Sequence, residues 1–211
     1  AGGGGAGGMI YETGVAVSSK MLSITVGKGG DVQTTEHRQG NNGENSSISN
    51  GVTQIACAFG GGGGGGRNDG NWEGKEGGSG GGAGGYEVKE GGKGTENQGH
   101  DGADSTSVNG KGGGGGGGAG GDAPESKGGS TVVNLGGPGR ECDITGEKVV
   151  YAVGGASAPN TDGSNPISTK PGCGSNAYGR TAPESQRKPG CDGIVVIRYA
   201  ARKNGLAIMF Y

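Results

Sequence analysis

The sequence predicts an all-β, extended fold: a bundle of polyglycine II helices packed with short β-strands and essentially no α-helix. Three observations predict it. Seven consecutive glycines fill positions 60–66 and recur at 112–118, with satellites at 2–5, 80–82, Gly84 and Gly85. Between these runs, apolar residues alternate with the period of two that marks strands, and no stretch shows the 3.6-residue period of an amphipathic helix. The ordinary core must also be small, because 59 of 211 residues are glycine, 28% are hydrophobic and 4% are aromatic.

A glycine run has no side chain to bury and loses more backbone entropy on ordering than other sequences. Order must therefore come from the main chain. In the polyproline II conformation a segment turns once in roughly three residues, rises ~3.1 Å per residue and makes no hydrogen bonds within itself. Bare backbones can then approach closely enough for N–H···O=C bonds between neighbouring segments, with Cα–H···O contacts adding a smaller term. A seven-residue run would span ~22 Å, the length of a modest strand. A flexible linker is the alternative for such a composition. The alternating apolar segments between the runs favour the ordered bundle.

Taken in order, residues 21–26 read as a half-buried strand, with Leu22, Ile24 and Val26 on one side. Residues 27–50 read as a polar surface loop in which Asn42-Gly43 and Asn50-Gly51 supply tight turns. Residues 52–59 form a second strand, placing Ile55, Cys57 and Phe59 on one face and running directly into the heptaglycine segment. Further strands are expected at 130–135, 148–153 and 193–200, the last carrying the β-branched run Ile194-Val195-Val196-Ile197. Pro159, Pro166, Pro171, Pro183 and Pro189 fall in an irregular excursion. The chain ends in Leu206, Ala207, Ile208, Met209, Phe210 and Tyr211, six apolar residues that require a groove, after an Asn204-Gly205 turn signal. Residues 1–200 thus read as one glycine-rich domain and 201–211 as an apolar tail.

Lys and Arg total 18 against 20 Asp and Glu, with no basic stripe, which argues against a nucleic-acid partner. No apolar run approaches the ~20 residues of a membrane-spanning helix. The chain opens on Ala1 and glycines without an initiator Met or signal peptide, as expected of a processed or partial polypeptide. Cys57, Cys142, Cys173 and Cys191 make an even count without C-x-x-C spacing, favouring disulfides in an oxidising compartment. The repeat Lys170-Pro171-Gly172-Cys173 and Lys188-Pro189-Gly190-Cys191 points to Cys173 with Cys191, leaving Cys57 with Cys142 by elimination; four free thiols are the alternative.

Catalysis and cofactors are not indicated. G-x-G-x-x-G recurs by glycine count alone, and none of the Gly-Lys steps at 27, 74, 92 and 110 continues as a phosphate-binding loop requires. His37 and His100 stand alone in polar loops, so no metal site is expected; Asp162-Gly163-Ser164-Asn165 is explained by turn formation. Trp72 and Tyr86 read either as a satellite core or, with Tyr178, as ligand contacts in loops.

The order Gly-Gly-Gly-Gly-Ala-Gly-Gly at 2–8, Thr25-Val26-Gly27-Lys28-Gly29-Gly30, Asn45-Ser46-Ser47, the two heptaglycine runs and the closing Gly193-Ile194-Val195-Val196-Ile197-Arg198-Tyr199 resembles the glycine-rich domains of phage tail-fibre, adhesin and bacterial surface proteins. The resemblance implies a polyglycine sandwich in which outer loops select receptors, an architecture related to the glycine-rich region of anaplastic-lymphoma-kinase-type receptors. The chain departs from that pattern in lacking a strand before the first glycines and in carrying the apolar hexapeptide after the last strand. These two departures are complementary. The expectation is therefore an extracellular or surface-located structural protein, not an enzyme, whose copies polymerise head to tail by strand addition. The alternative is an adhesin of the cell or virion surface that binds a receptor or glycan through its loops.

Overall fold

The computed structural model describes residues 1–17, 21–33, 38–67, 70–106, 112–129, 132–157, 168–178 and 187–199. Glycine segments distant in sequence lie side by side and satisfy one another's amides. The segment at 2–8 is the centre of this arrangement. The amides of Gly2, Gly5 and Gly8 donate to the carbonyls of Gly65, Gly62 and Phe59; those of Gly3 and Ala6 donate to Gly114 and Gly117; those of Gly4 and Gly7 donate to Ser175 and Gly172, all at 2.8–3.0 Å. Every third residue therefore faces the same neighbour, and three neighbours share the donors of one segment. Its carbonyls are engaged too, Gly3 and Ala6 accepting from Gly82 and Ser79. The same recurrence carries outward, with Gly80 and Ala83 donating to His100 and Ala103, and Gly174 and Ala177 donating to Val153 and Ala156.

Side chains contribute little to this interior. Its apolar members are alanines and Cys173, and Ala6, Ala119 and Ala152 form one cluster against which Met9 and Tyr151 pack. The largest fully buried side chains are serines, Ser79, Ser105 and Ser157. Where a glycine segment reaches the edge of the bundle, amide side chains replace the missing neighbour. Asn42 and Asn45, three positions apart, accept at their Oδ1 atoms from the amides of Gly63 and Gly60, both at 2.9 Å, and Gln98 Oε1 accepts from Phe59 at 2.9 Å. Asn42→Ala would leave the buried Gly63 amide without an acceptor, and should cost about 1–3 kcal/mol in urea denaturation with faster hydrogen exchange at Gly63, whereas Asn42→Asp should keep most of the stability.

Five short strands stand beside the bundle: β1 (Ser23–Thr25), β2 (Ser46–Ser49), β3 (Gln54–Ala58), β4 (Arg140–Cys142) and β5 (Val149–Tyr151). The first three form an antiparallel sheet in chain order, and β4 pairs antiparallel with β5, Arg140 opposite Tyr151. β2 and β3 are joined by the predicted Asn50-Gly51 turn: Gly51 takes φ +86°, and Asn50 Oδ1 accepts from the amides of Val52 and Thr53 at 3.0 and 2.8 Å. There is no helix among the described residues, and hence none long and apolar enough to cross a membrane.

Several expectations are corrected. The supposed loop at 27–50 contains β2, a serine-rich strand held by its partners on both sides rather than by burial. Asn42-Gly43 is not a turn; Gly40 and Gly43 donate to Gly64 and Gly61, so this stretch runs antiparallel to the heptaglycine segment. β1 is exposed, Ile24 at 48%, because nothing described covers its outer face. Within 130–135, residues 132–135 form no strand, Asn134 instead exchanging bonds with Ser157 through its amide to Oγ and its carbonyl to the Ser157 amide. Residues 193–199 enter neither sheet.

Candidate functional site

An apolar groove of about 810 Å³ opens where the sheet meets the end of the described chain. Met9, Leu22, Ile48, Ile55 and Tyr151 line it from separate elements, and residues 194–199 form one wall. Large apolar side chains around it face solvent, from Phe59 at 43% exposed to Tyr199 at 70%. Exposed apolar surface of this extent marks an interaction site. The main chain along two of its walls is also bare: among the described residues, neither 10–17 nor 194–199 makes a backbone hydrogen bond. Gly193 is the last to do so, donating to Gly27 at 2.9 Å. The groove thus offers apolar volume together with free amides and carbonyls, which is what an added strand uses.

The wall at 187–199 is tied to the bundle by a disulfide between Cys173 and Cys191, as the repeated Lys-Pro-Gly-Cys unit predicted. Backbone bonds from Cys191 to Cys173 and from Gly190 to Gly30 lie beside it. The bridge points to an oxidising, extracellular type of environment. The second expected bridge is not formed: Cys57 and Cys142 are free, half-buried thiols. They are fixed on different ladders, Cys57 on β3 and Cys142 on β4, and Cys142 lines the groove.

The loop aromatics separate into two places. Trp72 and Tyr86 pair, with ring centroids 5.7 Å apart, and Lys89 Nζ lies 5.8 Å from the Trp72 ring. Trp72 Nε1 donates to the Arg67 carbonyl at 2.8 Å, which fixes the indole, while Tyr86 stays 43% exposed. Tyr178 lines a separate small pocket of about 120 Å³ with Arg38 and Arg187; its hydroxyl accepts from the Lys188 amide at 2.9 Å, and burial pushes its titration upward. His100 is exposed with Nδ1 3.5 Å from Asp122 Oδ1. Beside it, burial pushes the Asp101 carboxyl up, but bonds from the Lys93 ammonium and the Gly94 amide outweigh it and hold the group below the ordinary carboxylate range. No cluster of histidine, cysteine and acidic side chains able to hold a metal occurs among the described residues. His37, residues 162–165 and the apolar residues 206–211 lie outside them.

Sequence reasoning called for a groove to take residues 206–211 but could not place it, because the walls of this one come from segments that are apolar in short, unrelated pieces. It also missed Asn42 and Asn45 as amide acceptors, although their three-residue spacing before a glycine run was the signal. No curated protein and no solved structure matches the chain. A family model described as a glycine-rich domain matches residues 1–200, which take in the whole lateral amide network and every wall of the groove, and the chain belongs to that family.

Proposed function

We propose that the chain is a structural subunit of an extracellular filament or fibre, in which polyglycine II helices supply a stiff rod and copies join head to tail by strand exchange. The observation that carries this reading is the three-residue recurrence of the lateral bonds: a helix of roughly three residues per turn returns each third amide to one side. Such an interior ties its main chain into lateral bonds, so the glycine segments should resist proteolysis. The exposed apolar groove supports the assembly half of the reading, since an isolated copy would leave it open to water. Purified protein should form filaments under electron microscopy, and deletion of residues 206–211 should abolish them. Filaments of unchanged length after the deletion would remove strand exchange from the proposal.

A second reading is an adhesin that binds a surface glycan or receptor, and the Trp72–Tyr86 pair favours it. A held indole, an exposed phenol and a nearby ammonium make a platform on which a sugar ring can stack. It would be favoured by discrete particles in size-exclusion chromatography together with cell-surface binding.

A further inference from the structure

We infer that the groove beside residues 194–199 is the acceptor for residues 206–211 of a second copy of this chain, which enters as a β-strand paired to that wall; this assignment rests on the filament reading above. The tail is six residues long, so as an added strand of ~20 Å it can pair along the bare backbone of 194–199. Strand alternation divides the tail into Leu206, Ile208 and Phe210 on one face and Ala207, Met209 and Tyr211 on the other. One face can fill the apolar volume over Ile48 and Ile55 while the other covers the exposed rim at Ile194 and Ile197.

The acceptor is built wholly from residues within 1–200, and the donor lies beyond them, joined by the charged and turn-forming stretch Arg202-Lys203-Asn204-Gly205. Donor and acceptor are thus different surfaces of one chain. A contact of that kind between copies is heterologous, and it propagates as a filament wherever the rotation between copies closes neither a ring nor a reciprocal swap. Filling the groove from a neighbour gives partners to alternate amides and carbonyls of 194–199 and removes the apolar face from water in one step.

Cys142 supplies the test, because it is a free thiol on the groove. In a Cys57→Ser background, cysteines are placed one at a time at positions 206–210 and oxidised mildly, and the products are separated without reductant. The expected result is a ladder of covalent multimers that is strongest at alternate positions and lost with Cys142→Ser. Crosslinked monomers only, which would mean that the tail folds back on its own copy, would overturn the assignment. So would filaments seen by microscopy that yield no ladder, and in that case the filament reading itself survives. Absence of filaments together with absence of any multimer overturns both. A binding measurement guards against poorly folded variants: a fluorescent peptide of residues 202–211 should bind saturably to the chain ending at Gly205, and Val196→Pro, which removes a wall amide, should weaken it at least tenfold. Equal binding to the two chains, or none to either, would overturn the assignment.

Discussion

Gly5→Ala should unfold the protein or cost at least about 3 kcal/mol, while Gly7→Ala, two positions along the same segment, should leave it intact. A methyl carbon on Gly5 would lie 2.1 Å from the Ser79 carbonyl oxygen and 2.5 Å from that of Gly80, both main-chain atoms held by their own lateral bonds. Neither can retreat without breaking its own bonds. On Gly7 the nearest atoms stand at 3.7–3.8 Å, an ordinary contact. There the substitution narrows the unfolded ensemble and should stabilise by roughly 0.5 kcal/mol. Between the two, Ala6 already carries a methyl group, fully buried against Ala119 and Ala152. Urea denaturation of the two variants checks the contrast. Equal, small effects at both positions would mean that the segments are not packed at backbone distance.

Replacing Cys173 and Cys191 by serine should lower stability by about 3 kcal/mol on the chain-entropy estimate for a bridge separated by 18 residues. A reductant should reproduce the loss in the native protein and do nothing further to the double variant. The loss should begin locally. Residues 187–193 are held by the bridge and by bonds from Gly190 to Gly30, from Gly172 to Asp192 and from Gly193 to Gly27, so hydrogen exchange should rise there before the glycine bundle responds. Because that segment carries the groove wall, reduced protein should also fail to bind the tail peptide. Retention of full stability in the serine variant would place the strength of this corner in its backbone bonds alone.

How far the fold was legible depends on what each residue type reports. Asn50-Gly51 announced its hairpin because positive φ is a local demand, and the glycine runs announced lateral pairing because nothing else could order them. β2 escaped notice since Ser-Ser-Ile-Ser carries no alternation, and its pairing is dictated by two flanking strands. β4, Arg140-Glu141-Cys142, is equally mute and exists through β5. Residues 194–197 were the clearest strand on propensity and yet join no sheet, because β-branched side chains report a preference for extended backbone and say nothing of whether a partner edge is at hand. For the cysteines, a local repeat was informative and elimination was not: the remaining pair was assigned by default, and Cys57 and Cys142 are free thiols on separate sheets. The location of the groove was illegible for a related reason, being a property of how apolar pieces from separate segments converge.

The placement of residues 2–8 at the middle of the bundle has a consequence for biogenesis. Gly2 needs Gly65, Gly3 needs Gly114 and Gly4 needs Ser175, so the earliest part of this domain to leave a ribosome is among the last that can acquire its native bonds. Loop-closure entropy must be met over nearly the whole chain before those contacts form, which makes collapse slow and keeps the nascent polypeptide open. The bond from Gly4 to Ser175 and the Cys173–Cys191 bridge can therefore close only after the distal third of the domain has emerged.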